Sequence, residues 1–154
     1  MPVTVVNLQR RVRIPSRRLH RLAEAALHSL GRSGAEVHLT FVSDARVRRL
    51  NRRYRGVRRA TDVLAFPLET PGPSRLLGEV VVSAETASRQ ARRLGVPVGM
   101  ELALLVVHGV LHLVGYDDRH PPEARLMHAR ARAILRGAFG PIPDKLWTGL
   151  LTTA

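Results

Sequence analysis

The segment from Gly99 to Val114, GMELALLVVHGVLHLV, constrains this chain more than any other part of it. Around His108 and His112 its side chains are aliphatic: Leu104, Leu105, Val106, Val107, Val110, Leu111 and Leu113. A helix that is apolar all round has no face to give to water, so other elements must enclose it. The sequence thus predicts a buried central helix that crosses a core beneath a sheet. The chain has 154 residues, 45% of them apolar, which is enough to enclose such a helix in one domain.

The flanking sequence supplies the enclosing elements. The run Val3-Thr4-Val5-Val6 within residues 2–13 reads as a first strand. Ser16 is placed to cap a helix with an apolar stripe of Leu19, Leu22, Ala26, Leu27 and Leu30, stopped by Gly31. Val37, Leu39 and Phe41 alternate with polar residues as a second strand. Ser43 is placed to cap a short helix with Val47, Leu50 and Tyr54 turned inward. Residues 62–66 and 79–82 read as two further strands, separated by a loop with Pro71, Gly72 and Pro73. Ser83 caps a helix to Leu94, stopped by Gly95 and Pro97, and a last helix runs from Pro121–Pro122 to about Leu135. The tail from about Gly137, with Pro141 and Pro143, is expected to be weakly ordered. The order β-α-β-α-β-β-α-α-α implies an α+β fold, one mixed sheet covered by helices.

The two histidines carry the chemistry. Four apart on a helix, their imidazoles leave the same face one turn apart, where both can reach one metal ion. Gly115 follows, where a glycine ends a helix and turns the chain back. Asp118 comes three residues later, completing H-x-x-x-H-x-x-G-x-x-D. Spacing and turn match the metzincin ligand pattern, whose third ligand is usually histidine. Buried polar groups need partners to offset desolvation, and a metal supplies them. There is no cysteine, so disulfides, thiolate sites and cysteine nucleophiles are excluded, and any metal is held by imidazole and carboxylate. Zinc peptidases carry a glutamate general base directly after the first histidine. Here that residue is Gly109, which removes most of the support for peptide hydrolysis.

Charge points to the partner. The formal net charge is +13, from 25 basic and 12 acidic residues, and Lys145 is the one lysine. An excess of this size suits a polyanion, because neutralised phosphates release counterions. Aromatic residues make up 4%, so backbone contact outweighs base stacking. The longest apolar run, Leu102–Val107, is far shorter than the roughly 18 residues of a membrane span. Met1–Arg10 lacks the layout of a secretory signal. The expectation is a soluble, cytoplasmic protein with no membrane partner; the oligomeric state stays open.

The run HGVLHLVGYDDRH resembles the signature of the YbeY family of metal-dependent endoribonucleases. The resemblance continues upstream through LNRRYRG (Leu50–Gly56), TDVLAFP (Thr61–Pro67) and LLGEVVVS ending at Ser83. Downstream it includes Glu123 and Met127, so it covers roughly Val37 to Leu135. It implies a single zincin-like domain over 1–154 and one Zn2+ per chain held by three side chains. It also implies cleavage of single-stranded RNA, maturation of the 3′ end of small-subunit (16S) ribosomal RNA, and ribosome quality control.

The third ligand of the family is normally histidine where this chain has Asp118. His120 is the rival, and the spacing favours Asp118. A carboxylate leaves the ion one unit less positive and its water less acidic. Ala65 stands where the family usually has serine. Arg55 occupies the position of the family's functional arginine, where a guanidinium can grip a phosphate bidentately. It lies among Arg46, Arg48, Arg49, Arg52, Arg53, Arg58 and Arg59, whose crowding favours an anionic partner. Two alternatives stay open: a metal-dependent hydrolase of another substrate such as a peptide, and a ribosome-associated RNA-binding protein with a structural metal.

Overall fold

The computed structural model describes residues 3–53, 63–67 and 76–147, without the side chains of 51–53. Among the described residues nine elements follow one another: β1 (Val3–Asn7), α1 (Ser16–Ser29), β2 (Glu36–Val42), α2 (Asp44–Arg53), β3 (Val63–Pro67), β4 (Leu76–Ser83), α3 (Ala84–Leu94), α4 (Val98–Val114) and α5 (Pro121–Phe139). The strands form one mixed sheet in the order β1-β2-β4-β3, with β3 antiparallel at its edge and the other three parallel. The α+β fold and mixed sheet are as the sequence predicts. Among the described residues no helix is long and apolar enough to cross a membrane.

Alternation sorts the sheet into two faces. Val37, Leu39, Phe41, Val80 and Val82 enter the main core with α1, α3, α4 and α5, whereas Val42, Leu64 and Val81 form a smaller cluster with Val47 of α2. Helix α4 is the hub, touching α1, α3, α5, β3 and β4. Every residue from Glu101 to Leu111 is buried, as an all-round apolar helix requires.

Two glycines let α4 lie this close to the sheet. A Cβ at Gly109 would stand 2.4 Å from Val80 Cγ1, and one at Gly78 would stand 2.8 Å from Leu113 Cδ2 and 2.3 Å from the Phe66 carbonyl oxygen. Position 109 therefore faces the sheet at contact distance. A glutamate here, the base of a zinc peptidase, would have to displace Val80.

Several boundaries differ from the sequence reading for identifiable reasons. β1 ends at Asn7 because polar side chains take over its backbone: Gln9 N–H donates to Asn7 Oδ1, and the Gln9 amide pairs with Val12 N–H and C=O. Pro15, not Ser16, is the N-cap of α1; Ser16 is already helical and makes no capping bond. Ser43 and Ser83 do cap, accepting from Arg46 N–H and Thr86 N–H. α5 continues past Leu135 to Phe139. The tail beyond Gly137, expected to be weakly ordered, instead buries Leu146 and Trp147, and Phe139 and Ile142 pack on the core. Apolar burial there outweighs the two prolines. Tyr54, Arg55 and Asp62 lie outside the described residues.

The contact between Gly109 and Val80 is testable. Gly109→Ala is expected to destabilise the chain by about 1–3 kcal/mol through overpacking. Combined with Val80→Ala, it should cost less than the sum of the two single changes. Denaturant unfolding measures this, and strict additivity would show that the two residues do not meet.

Candidate metal centre

The C-terminal end of α4 places both imidazoles where helical spacing requires. Gly115 then takes φ +112°, and Gly115 N–H and Tyr116 N–H donate to the His112 and Leu111 carbonyls. That left-handed turn folds residues 116–119 back over the histidines. The fold thereby brings His108, His112 and Asp118 together, each offering a ligand atom within 4.8 Å of the others. No other such group occurs among the described residues, and His120 stands exposed as the N-cap of α5, outside this cluster.

The spacing suits one divalent ion. The two Nε2 atoms are 3.0 Å apart, and Asp118 Oδ2 lies 3.6 Å from that of His108 and 3.8 Å from that of His112. Ligands held at about 2.1 Å around a tetrahedral ion stand roughly 3.4 Å apart, within that spread. The donor chemistry agrees. His112 Nδ1 is 3.0 Å from the Tyr116 carbonyl oxygen, which can only accept, so Nδ1 carries the proton and Nε2 keeps its lone pair. Two nitrogen lone pairs at 3.0 Å repel unless a proton or a cation lies between them. Burial, and secondarily the neighbouring His112, pushes the His108 pKa down to about 3, so this imidazole is neutral at ordinary pH.

Access is graded. The side chains of His108, His112 and Asp118 are 10%, 30% and 37% exposed, so the cluster is rooted in the core and open on its carboxylate side. That opening leaves room for a water or a substrate oxygen. The two adjacent carboxylates have separate partners. Asp117 accepts from the backbone N–H, Nε and Nη2 of Arg119 and is held down to about 2 by those bonds. Of these two carboxylates it is Asp118 that faces the histidines. Sequence reading missed the Asp117–Arg119 clasp and the Tyr116 carbonyl; the D-x-R spacing was the only visible trace of the first.

Ala65 lies opposite Val80 in the strand register, packed against the core that α4 fills. It has no hydroxyl to offer there.

Comparison with known proteins gives the family of the chain. The profile of the family described as endoribonuclease YbeY matches residues 4–138. The chain belongs to the YbeY endoribonuclease family. A protein named endoribonuclease YbeY from an Anaeromyxobacter species is 47% identical over 150 residues, covering 97% of this chain and 78% of that one. Another of that name, from Pelotomaculum thermopropionicum, is 41% identical over 145 residues, 88% of this chain and 95% of that one. A solution structure of a Thermotoga maritima protein superposes with a TM-score of 0.59 at 24% identity, covering 98% of this chain and 93% of that one, which shows the shared fold. Membership of the YbeY family supports an RNA endonuclease role for the chain.

Two outcomes follow from the geometry. Asp118→Ala should weaken binding of a divalent ion far more than His120→Ala, as read by chelator competition; the reverse order would make His120 the ligand. A lowered histidine pKa means that the unfolded chain takes up the proton first. The stability this group contributes is therefore complete above about 6.5 and is lost as pH falls towards about 3, by at most about 1.4 kcal/mol per unit. The metal-free protein should show this slope, and His108→Gln should flatten it.

Proposed function

We propose that His108, His112 and Asp118 hold one zinc ion per chain, and that the chain, working as one domain, cuts single-stranded RNA. We place its work in maturation of the 3′ end of small-subunit ribosomal RNA and in ribosome quality control, in the cytoplasm and in contact with the small subunit. The observation that carries the reading is the cluster of three donors, open on one side, in a chain of this family.

Bound there, zinc would supply Lewis acidity, making a water more nucleophilic and drawing charge from a phosphoryl oxygen. The remaining work belongs to the chain. Neutral His108, fixed in the wall of α4, keeps its place in the donor cluster. His112 is oriented by its bond to the Tyr116 carbonyl, and a ligand whose other nitrogen is tied down cannot rotate away. Asp118 brings a single negative charge from the solvent side. Arg55 would grip the scissile phosphate and offset charge as it builds on the phosphoryl oxygens.

Three protein donors among the described residues, with an exposed carboxylate side, favour a catalytic over a structural ion, since a structural zinc is closed by a fourth protein ligand. The crowding at Gly109 speaks against a peptidase, because the base that peptide hydrolysis uses has no room there.

The experiment pairs RNA binding with RNA cleavage for the same variants, with zinc content measured in each. Wild type should carry about one zinc per chain and His112→Ala close to none. Arg55→Ala should cut at a rate lower by on the order of a hundredfold while binding RNA nearly as well. Loss of binding in proportion to cleavage would move Arg55 into the general basic surface. Zinc-loaded wild type that binds RNA and never cuts it would make the chain a binding protein.

A further inference from the structure

Several of the described arginines lie at one end of the sheet, and the strand directions show which. β1, β2 and β4 are parallel, so their carboxyl ends, Asn7, Val42 and Ser83, lie at one end of the sheet. From β1 the chain passes into a connection that carries Arg10, Arg11 and Arg13 and then into α1 with Arg17; from β2 it passes into the first turn of α2 with Arg46. One carboxylate joins these segments. Glu85, at the start of α3, accepts from Arg11 Nη1 at 3.2 Å and from the Asp44 backbone N–H at 3.0 Å.

The acids at this end are already engaged. Glu85 is taken by those two donors, and Asp44 by Ser83, Thr86 and Arg89. Desolvation would raise the Asp44 pKa, and these hydrogen bonds outweigh it and hold it at about 2. Arg10, Arg13, Arg17 and Arg46 are exposed and make no ion pair among the described residues. Uncompensated like charges at one end of a sheet repel one another, and a phosphate chain laid across them removes that repulsion.

This end is remote from the metal donors. Gly109 lies against Val80 and Gly78 against Leu113, so α4 runs antiparallel to β4. Its C-terminal end, with the donors, is at the opposite end of the sheet. Its N-terminal end sits beside the β1–α1 connection, with Pro15 Cγ 3.9 Å from a Cβ at Gly99. From Gly99 to His112 a helix advances about 20 Å.

We propose that the carboxyl end of the parallel strands is a second RNA docking surface, at which Arg10, Arg13, Arg17 and Arg46 take backbone phosphates of RNA well away from the cut. The proposal rests on the RNA reading above and extends it. An RNA long enough to span both ends gains affinity from the second surface, and a short one does not.

The test uses the zinc-loaded chain, the triple variant Arg10→Gln, Arg13→Gln, Arg17→Gln, and single-stranded RNAs of about five and about thirty nucleotides. The variant should bind the long RNA about tenfold or more weakly, with its logarithmic salt slope shallower by up to about two. Its affinity for the short RNA, its cutting of that RNA and its zinc content should match wild type. Unchanged affinity for the long RNA would overturn the proposal, and so would equal losses on both lengths. If wild type shows the length effect and the variant loses it while neither cuts RNA, the docking surface stands and the nuclease assignment fails.

Discussion

The enclosure of α4 is the constraint on which the rest of this structure depends. A helix whose residues from Glu101 to Leu111 are all buried needs neighbours on every side, and α1, α3, α5 and the sheet provide them. Close approach to β4 then requires a residue without a side chain at position 109, and strand geometry requires another at 78. The same enclosure makes His108 an expensive residue. An imidazole in an aliphatic wall loses its hydration and is held neutral, a cost that a partner for its lone pair offsets. Packing and the candidate metal site are thus set by one element, and both histidines are anchored in the core.

Exposure increases along the candidate donor set, and the anchors differ. His108 is fixed by the core and His112 by its backbone acceptor, while Asp118 sits on a turn that depends on Gly115 and on the Asp117–Arg119 clasp. An exposed ion pair of this kind contributes little to global stability. Its effect is local, since it removes from one carboxylate the freedom to compete for the ion and closes the turn that presents the other.

What was legible in the sequence was what local physics dictates. The apolar run announced α4, the i,i+4 histidines announced the shared face, and Gly115 announced the turn. Ser43 and Ser83 announced two helix starts. The illegible parts depend on residues far apart in the chain. Nothing local places β3 antiparallel at the edge beside β4 rather than beside β2. Nothing local joins Asp44 to Ser83 and Thr86, or Thr40 to Glu79, because each pair is brought together by parallel pairing of β2 with β4. The tail departs from the sequence expectation for a related reason. Its prolines and glycines are visible to local reasoning, whereas the site that receives Leu146 and Trp147 is built by other elements.

The carboxylate at 118 is where local and family reasoning pull apart, and the structure shows why an aspartate can serve. A side chain reaching back from the turn need not be long, because Gly115 folds the backbone itself over the histidines. From there the short Asp118 carboxylate lies 3.6 and 3.8 Å from the two Nε2 atoms. Electrostatics favours it as well. Two neutral imidazoles give a divalent ion no charge compensation, and a carboxylate neutralises half of its charge. The gain in attraction would be offset by a less acidic bound water, so the exchange would trade activation for retention of a bound ion. In a chain with a net charge of +13, a surrounding field that disfavours a dication makes that retention more valuable than in a neutral protein.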